Sequence, residues 1–135
     1  MKNKIIAVDF DGTLCENRYP EIGLPKWSVI ERLKAEQEAG AKIILWTCRT
    51  EKQLADAVFW CSHIGLKFDA INENLKSTLE HFGNDTRKIS ATEYWDDRAF
   101  NPNNGDLEAE NLELKQRLED LKKLLQEVAG GIVTN

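Results

Sequence analysis

The stretch Lys4-Ile5-Ile6-Ala7-Val8-Asp9-Phe10-Asp11-Gly12-Thr13-Leu14 decides the fold. Lys4 to Val8 is an apolar, partly β-branched run that stops at acidic residues and a glycine, the pattern of a buried strand opening into a loop. Ala41 to Trp46 repeats that pattern, Phe68 to Ile71 gives a short third strand, and Ile89 to Trp95 a fourth. Between the first two, Lys26 to Ala39 carries Trp27, Ile30 and Leu33 at helical spacing and stops at Gly40, while Pro20 to Pro25 reads as loop. Thr50 with Gln53 three residues on has the form of a capping box opening a second helix that ends near Gly65. Leu75 to Phe82 is a third, stopped by Gly83. Strands alternating with helices at this spacing predict an α/β fold, a doubly wound parallel sheet with helices on both faces. Ligands of such sheets sit beyond the carboxyl ends of the strands.

After the turn-rich Asn101 to Gly105 the pattern changes. Leu107, Leu114, Leu121 and Val128 recur every seven residues, and Asn111, Leu118 and Leu125 fill the offset that completes an a/d seam. Residues 1–104 are therefore read as one α/β domain and 105–135 as a helical extension, helical from Asp106 to Val128 with a frayed Gly130-Gly131 tail. The stripe has two readings: pairing of two copies into a homodimer through residues 106–128, or docking on the chain's own sheet or helices.

A chain of 135 residues has room for one sizeable core, and 41% hydrophobic with 30% charged residues is the balance of a globular protein. The net charge of −5 leaves no basic stripe for a nucleic-acid backbone, so no nucleic-acid partner is expected. Cys15, Cys48 and Cys61 are odd in number and lack Cys-x-x-Cys spacing, which fits neither a disulfide framework nor a zinc site. No apolar run is long enough for a signal-peptide core or a membrane span. A cytoplasmic location with no membrane partner is the expectation.

Three predicted strand ends carry polar groups: Asp9 and Asp11 after the first, Thr47 after the second, Asp96 and Asp97 after the fourth. A parallel sheet brings such ends to one edge. Four carboxylates meeting there repel one another unless a cation joins them, and an all-oxygen set suits a hard ion, magnesium above all.

These residues resemble the motifs of the haloacid dehalogenase (HAD) superfamily. Val8-Asp9-Phe10-Asp11-Gly12-Thr13-Leu14 is similar to its first motif, Asp-x-Asp-x-Thr, Thr47 after Ile43-Ile44-Leu45-Trp46 to its second, and Asp96-Asp97 after Thr92-Glu93-Tyr94-Trp95 to its fourth. The resemblance covers about residues 4 to 100. It implies a Rossmann-like core and magnesium-dependent hydrolysis of a phosphorylated small molecule through an aspartyl-phosphate. Asp9 would be the nucleophile and Asp11 the acid and base at the leaving oxygen and water. Thr47 would donate to the phosphate, Gly12 would permit the turn whose N–H groups face it, and Lys88 would balance charge as the third-motif lysine, with Lys76 as the alternative. Asp9, Asp96, Asp97 and the backbone carbonyl of Asp11 would hold the magnesium. Arg49 reads either as a second cation at the phosphate or as a surface residue.

The predicted elements use up the spans between these motifs, which leaves no room for a cap domain. Thr47-Cys48-Arg49 and Asp96-Asp97-Arg98-Ala99 are similar to small capless hydrolases of this superfamily, a subgroup that fixes no substrate. Two other functions use the same residues: a non-catalytic assembly module acting through its helical tail, and phosphoryl transfer to an acceptor other than water. His63 and His81 lack metal-like spacing, Cys15 and Cys48 read as small buried side chains, and the four tryptophans as core.

Overall fold

A computed structural model describes residues 4–134. By their contacts the described residues form two units, divided after Ala99 rather than at the predicted 104. The first holds four parallel strands, β1 (Ile5–Val8), β4 (Lys42–Leu45), β5 (Ala70–Ile71) and β6 (Glu93–Trp95), in the order β5-β4-β1-β6. The chain steps outward from β1 to β4 and β5, then returns to the other side of β1 to lay down β6. That reversal makes the edge between β1 and β6 a topological switch point, the place where ligands of open α/β sheets bind.

Alternation along the strands sorts the core into two faces. Ile6 and Val8 of β1 and Ile43 and Leu45 of β4 point to one side, where they meet Ile30 and Leu33 of α1 (Trp27–Glu38) and Ala57 and Cys61 of α2 (Glu51–His63). Phe10 joins this face and takes an edge-on contact from Trp60, ring centroids 5.5 Å apart. The opposite face carries Ala7 and Ile44 beneath Ile89, Leu75 and Ala91. Both α1 and α2 lie on the first face, and α3 (Lys76–Phe82) buries none of its residues. The expected helices on both faces are thus present in full on one side only, because α3 is seven residues long and mostly polar.

Several local expectations are corrected. Residues 20–25, read as loop, contribute β3 (Glu21–Pro25), which pairs antiparallel with β2 (Cys15–Arg18) in a hairpin placed directly after Asp11 to Leu14. The two prolines and Gly23 masked a strand of only five residues. Thr50 sits at the start of α2 in extended conformation without a side-chain cap bond, so the capping box does not form. Trp27 and Trp46 are exposed rather than core: Trp27 opens α1, and Trp46 lies past the end of β4 against Tyr94. Cys48 is exposed as well, whereas Cys15 and Cys61 are buried.

The second unit contains a short 3₁₀ turn (Pro102–Asn104) and one helix, α4 (Gly105–Thr134), longer than the predicted 106–128. Its backbone continues as helix through Gly130 and Gly131, where fraying was expected. The side chain of Leu107 lies outside the described residues, but Leu114, Leu118, Leu121, Leu125 and Val128 are all exposed. Among the described residues no helix is long and apolar enough to cross a membrane.

Candidate active site

The strand register delivers the predicted residues to one edge. Val8 is paired with Leu45 on one side and Trp95 on the other, and Leu45 with Ile71. Residues immediately beyond these, Asp9, Trp46, Asn72 and Asp96, therefore leave the sheet together. Three further bonds extend the ladder across that edge: Asp9 N–H to the Trp95 carbonyl (2.9 Å), Trp46 N–H to Val8 (2.9 Å) and Asn72 N–H to Leu45 (2.8 Å).

Carboxylate oxygens of Asp9, Asp96 and Asp97 lie within 4.8 Å of one another, and no ion pair with a described Lys or Arg neutralises them. Burial first, then the charge of Asp96, pushes the Asp9 acid up to about 7; the Asp97 carboxyl adds to this and the Phe10 N–H opposes it. A half-buried carboxylate crowded by two others is the environment that a hard divalent cation relieves. Asp9, Asp96 and Asp97 thus fit magnesium by their chemistry. Asp11, expected to contribute only its backbone carbonyl, has its carboxylate outside this group.

The turn that follows Asp9 is held by backbone bonds to its own residues. Gly12 N–H donates to the Cys15 carbonyl at 2.8 Å, and Thr13 and Leu14 N–H donate to Phe10 at 3.3 and 3.0 Å. Gly12 N–H is therefore occupied within the turn, and what Gly12 supplies is a positive φ of 90° and the space for Asp97. Thr13 joins the two acidic loops, accepting the Asp97 N–H at 3.0 Å while its hydroxyl points to Asp9 at 3.4 Å.

Thr47 lines a cleft of about 490 Å³ with Asp9, Asp11, Asn17, Tyr19, Arg98 and the Asp96–Asp97 pair. Its N–H is held by the Asn72 side-chain oxygen at 2.8 Å, and its hydroxyl accepts the Arg49 N–H at 3.1 Å. Asn72 adopts a left-handed conformation (φ 53°), which asparagine tolerates better than most residues. It was not foreseen, because its role depends on the pairing of β5 with β4. Neither candidate lysine lines the cleft. Lys88 is exposed, its ammonium 5.7 Å from the Tyr94 ring centre, and Lys76 is exposed at the first position of α3.

Arg49 is not the surface residue of one reading, being 1% exposed, and it lines the same cleft as Thr47. Its Nε and Nη2 donate to the two Asp11 oxygens, each at 2.8 Å. The remaining N–H groups reach the carbonyls of Glu21 (2.8 Å), Pro20 (3.1 Å) and Gln53 (3.3 Å), and the rings of Phe10 and Tyr19 flank the guanidinium at 5.1 and 5.0 Å. Sequence alone gave no signal for this, since two of the acceptors are backbone carbonyls of a hairpin that was read as loop and the third belongs to α2. The thiols of Cys15 and Cys61 are pushed up by burial, Cys61 to about 12, which leaves neither as a nucleophile.

The chain is 42% identical to a conserved protein of Bacteroides thetaiotaomicron whose structure is solved, over 70% of this chain and 76% of that one, with a TM-score of 0.63. No protein-family model and no curated protein matches it.

Proposed function

The chain belongs to the family of that conserved Bacteroides protein, and we propose that it is a capless HAD-type phosphohydrolase that uses magnesium to cleave phosphomonoesters of small molecules. The observation that carries this reading is the convergence of the Asp9, Asp96 and Asp97 oxygens at the β1–β6 switch point, in the cleft that Asp11 also lines.

The chemistry follows from what these groups can do. An Asp9 oxygen attacks phosphorus in line, the ester P–O bond breaks, and the leaving oxygen takes a proton from Asp11. Water then attacks the phosphorus of the aspartyl-phosphate and gives its proton to Asp11, and Asp9 is restored as inorganic phosphate departs. Asp9, Asp96 and Asp97 would hold magnesium, which would offset the repulsion of the anionic ester by the attacking carboxylate. Thr47 donates its hydroxyl hydrogen to a phosphoryl oxygen, and Lys88 is the proposed third-motif cation. Two intact aspartates at positions 9 and 11 favour this reading over a purely assembling module, which needs neither.

Magnesium-dependent release of inorganic phosphate from a panel of phosphorylated metabolites tests the proposal. Phosphate left on an acceptor other than water would shift it to phosphoryl transfer. No turnover with magnesium present would leave the assembly reading. The exposed leucine face of α4 supports a further element, pairing of two copies through the tail.

A further inference from the structure

A guanidinium has five N–H groups, and in Arg49 all five are donated. Three go to neutral carbonyls, which could anchor the side chain alone. The charge goes to Asp11, in a two-pronged pair that fixes the plane of the carboxylate as well as its place. A buried cation without an anion is costly, so the two groups hold each other.

Four carboxylates reach this edge of the sheet, and they fall into two groups. Asp9, Asp96 and Asp97 face one another with no described Lys or Arg ion-paired to them, whereas Asp11 faces Arg49. We infer that Arg49 is the positioning residue that divides them: it holds the Asp11 carboxylate out of the cation set and presents it to the leaving oxygen. Each Asp11 oxygen keeps a second lone pair for that purpose. The first half of this inference concerns the carboxylates alone; the second half rests on the phosphohydrolase reading. Because the same guanidinium binds Pro20 and Glu21 of the hairpin and Gln53 of α2, the position of Asp11 is tied to both elements.

Two variants of the full chain test this. Arg49→Gln removes the charge; Arg49→Lys keeps it but replaces the fork with a point donor. Freed from Arg49, Asp11 can turn to the other three carboxylates, so Arg49→Gln should bind magnesium about tenfold tighter in calorimetric titration. Both variants should lose roughly 100-fold in kcat/KM on an alkyl phosphate, whose leaving oxygen needs the proton, and less than about tenfold on p-nitrophenyl phosphate, whose leaving group needs little help. Unchanged or weaker magnesium binding by Arg49→Gln, or equal losses on the two esters, would reduce Arg49 to a rivet between hairpin and helix. Should Arg49→Gln not fold, the ester ratio of Arg49→Lys decides. A wild-type chain that cleaves neither ester overturns the phosphohydrolase reading, while the magnesium titration still decides whether Arg49 sorts the carboxylates.

Discussion

Asp97 fills the space that a side chain on Gly12 would need. A β-carbon built on Gly12 comes within 2.7 Å of the Asp97 carboxyl carbon, and the backbone there has φ +90°. The loops leaving β1 and β6 can touch only because this residue has no side chain. Gly12→Ala should therefore lose stability by about 1–2 kcal/mol from backbone conformation alone. It should also weaken magnesium binding at least about tenfold by displacing Asp97. Denaturant unfolding and calorimetric titration measure the two effects, and unaltered magnesium affinity would remove Asp97 from the cation site.

Asp9→Asn should abolish phosphate release by several powers of ten while the fold is kept, because an amide neither attacks phosphorus nor holds the cation well. Circular dichroism checks the fold and a phosphate-release assay the chemistry. Activity within about tenfold of wild type excludes Asp9 as the covalent nucleophile.

The same residue makes a prediction about stability without metal. The folded Asp9 acid is raised from 3.8 to about 7, so between these values the folded state binds more protons than the unfolded one. Stability must then fall as pH rises through that window, and the repulsion is fully present above about 7. In chelator at pH 8, Asp9→Asn should melt higher than wild type, with the difference vanishing below pH 4. Magnesium at pH 8 should raise the wild-type melting temperature more than that of the variant. A variant that melts lower than wild type at pH 8 contradicts the crowding of Asp9 by its neighbours.

The sheet and most of the acidic edge were legible because both depend on short-range pattern. Val8-Asp9 and Trp95-Asp96 each mark an apolar strand giving way to acid, and alternation places Ile6 and Val8 on one face whatever follows. What was hidden depends on pairing between distant segments. Arg49 meets Asp11 across 38 residues, and Asn72 meets Thr47 across 25. Neither contact has a local signature. The hairpin at 15–25 was lost for a related reason: strands of four and five residues carrying proline and glycine resemble a loop in sequence.

For the third-motif lysine, Lys88→Ala should lower turnover more than Lys76→Ala, since Lys88 stands on Tyr94 of β6, next to the acidic strand end, while Lys76 opens a helix that buries nothing. Parallel steady-state measurements on the two variants decide. The greater loss at Lys76 would transfer the role to it.

The tail provides the last prediction. A single 30-residue helix whose leucines are exposed on one face gains little stability by itself. A parallel pair would bury Leu114, Leu118, Leu121, Leu125 and Val128, and Asn111 at an a position would meet its counterpart and set the register. That register also brings Glu110 opposite Lys115 of the second copy, an attractive pair. It brings Arg117 opposite Lys122 too, but each of these already has an acidic neighbour on its own helix, Glu113 at 3.0 Å and Glu119 at 3.8 Å. An antiparallel pair would set Asn111 against a leucine and leave its amide without a partner. The intact chain should therefore sediment as a dimer at micromolar concentration, and Leu118→Glu with Leu121→Glu should make it monomeric without changing turnover of a small phosphomonoester. An intact chain that sediments as a monomer, or a doubly substituted one that stays dimeric, shows that this seam does not join the copies.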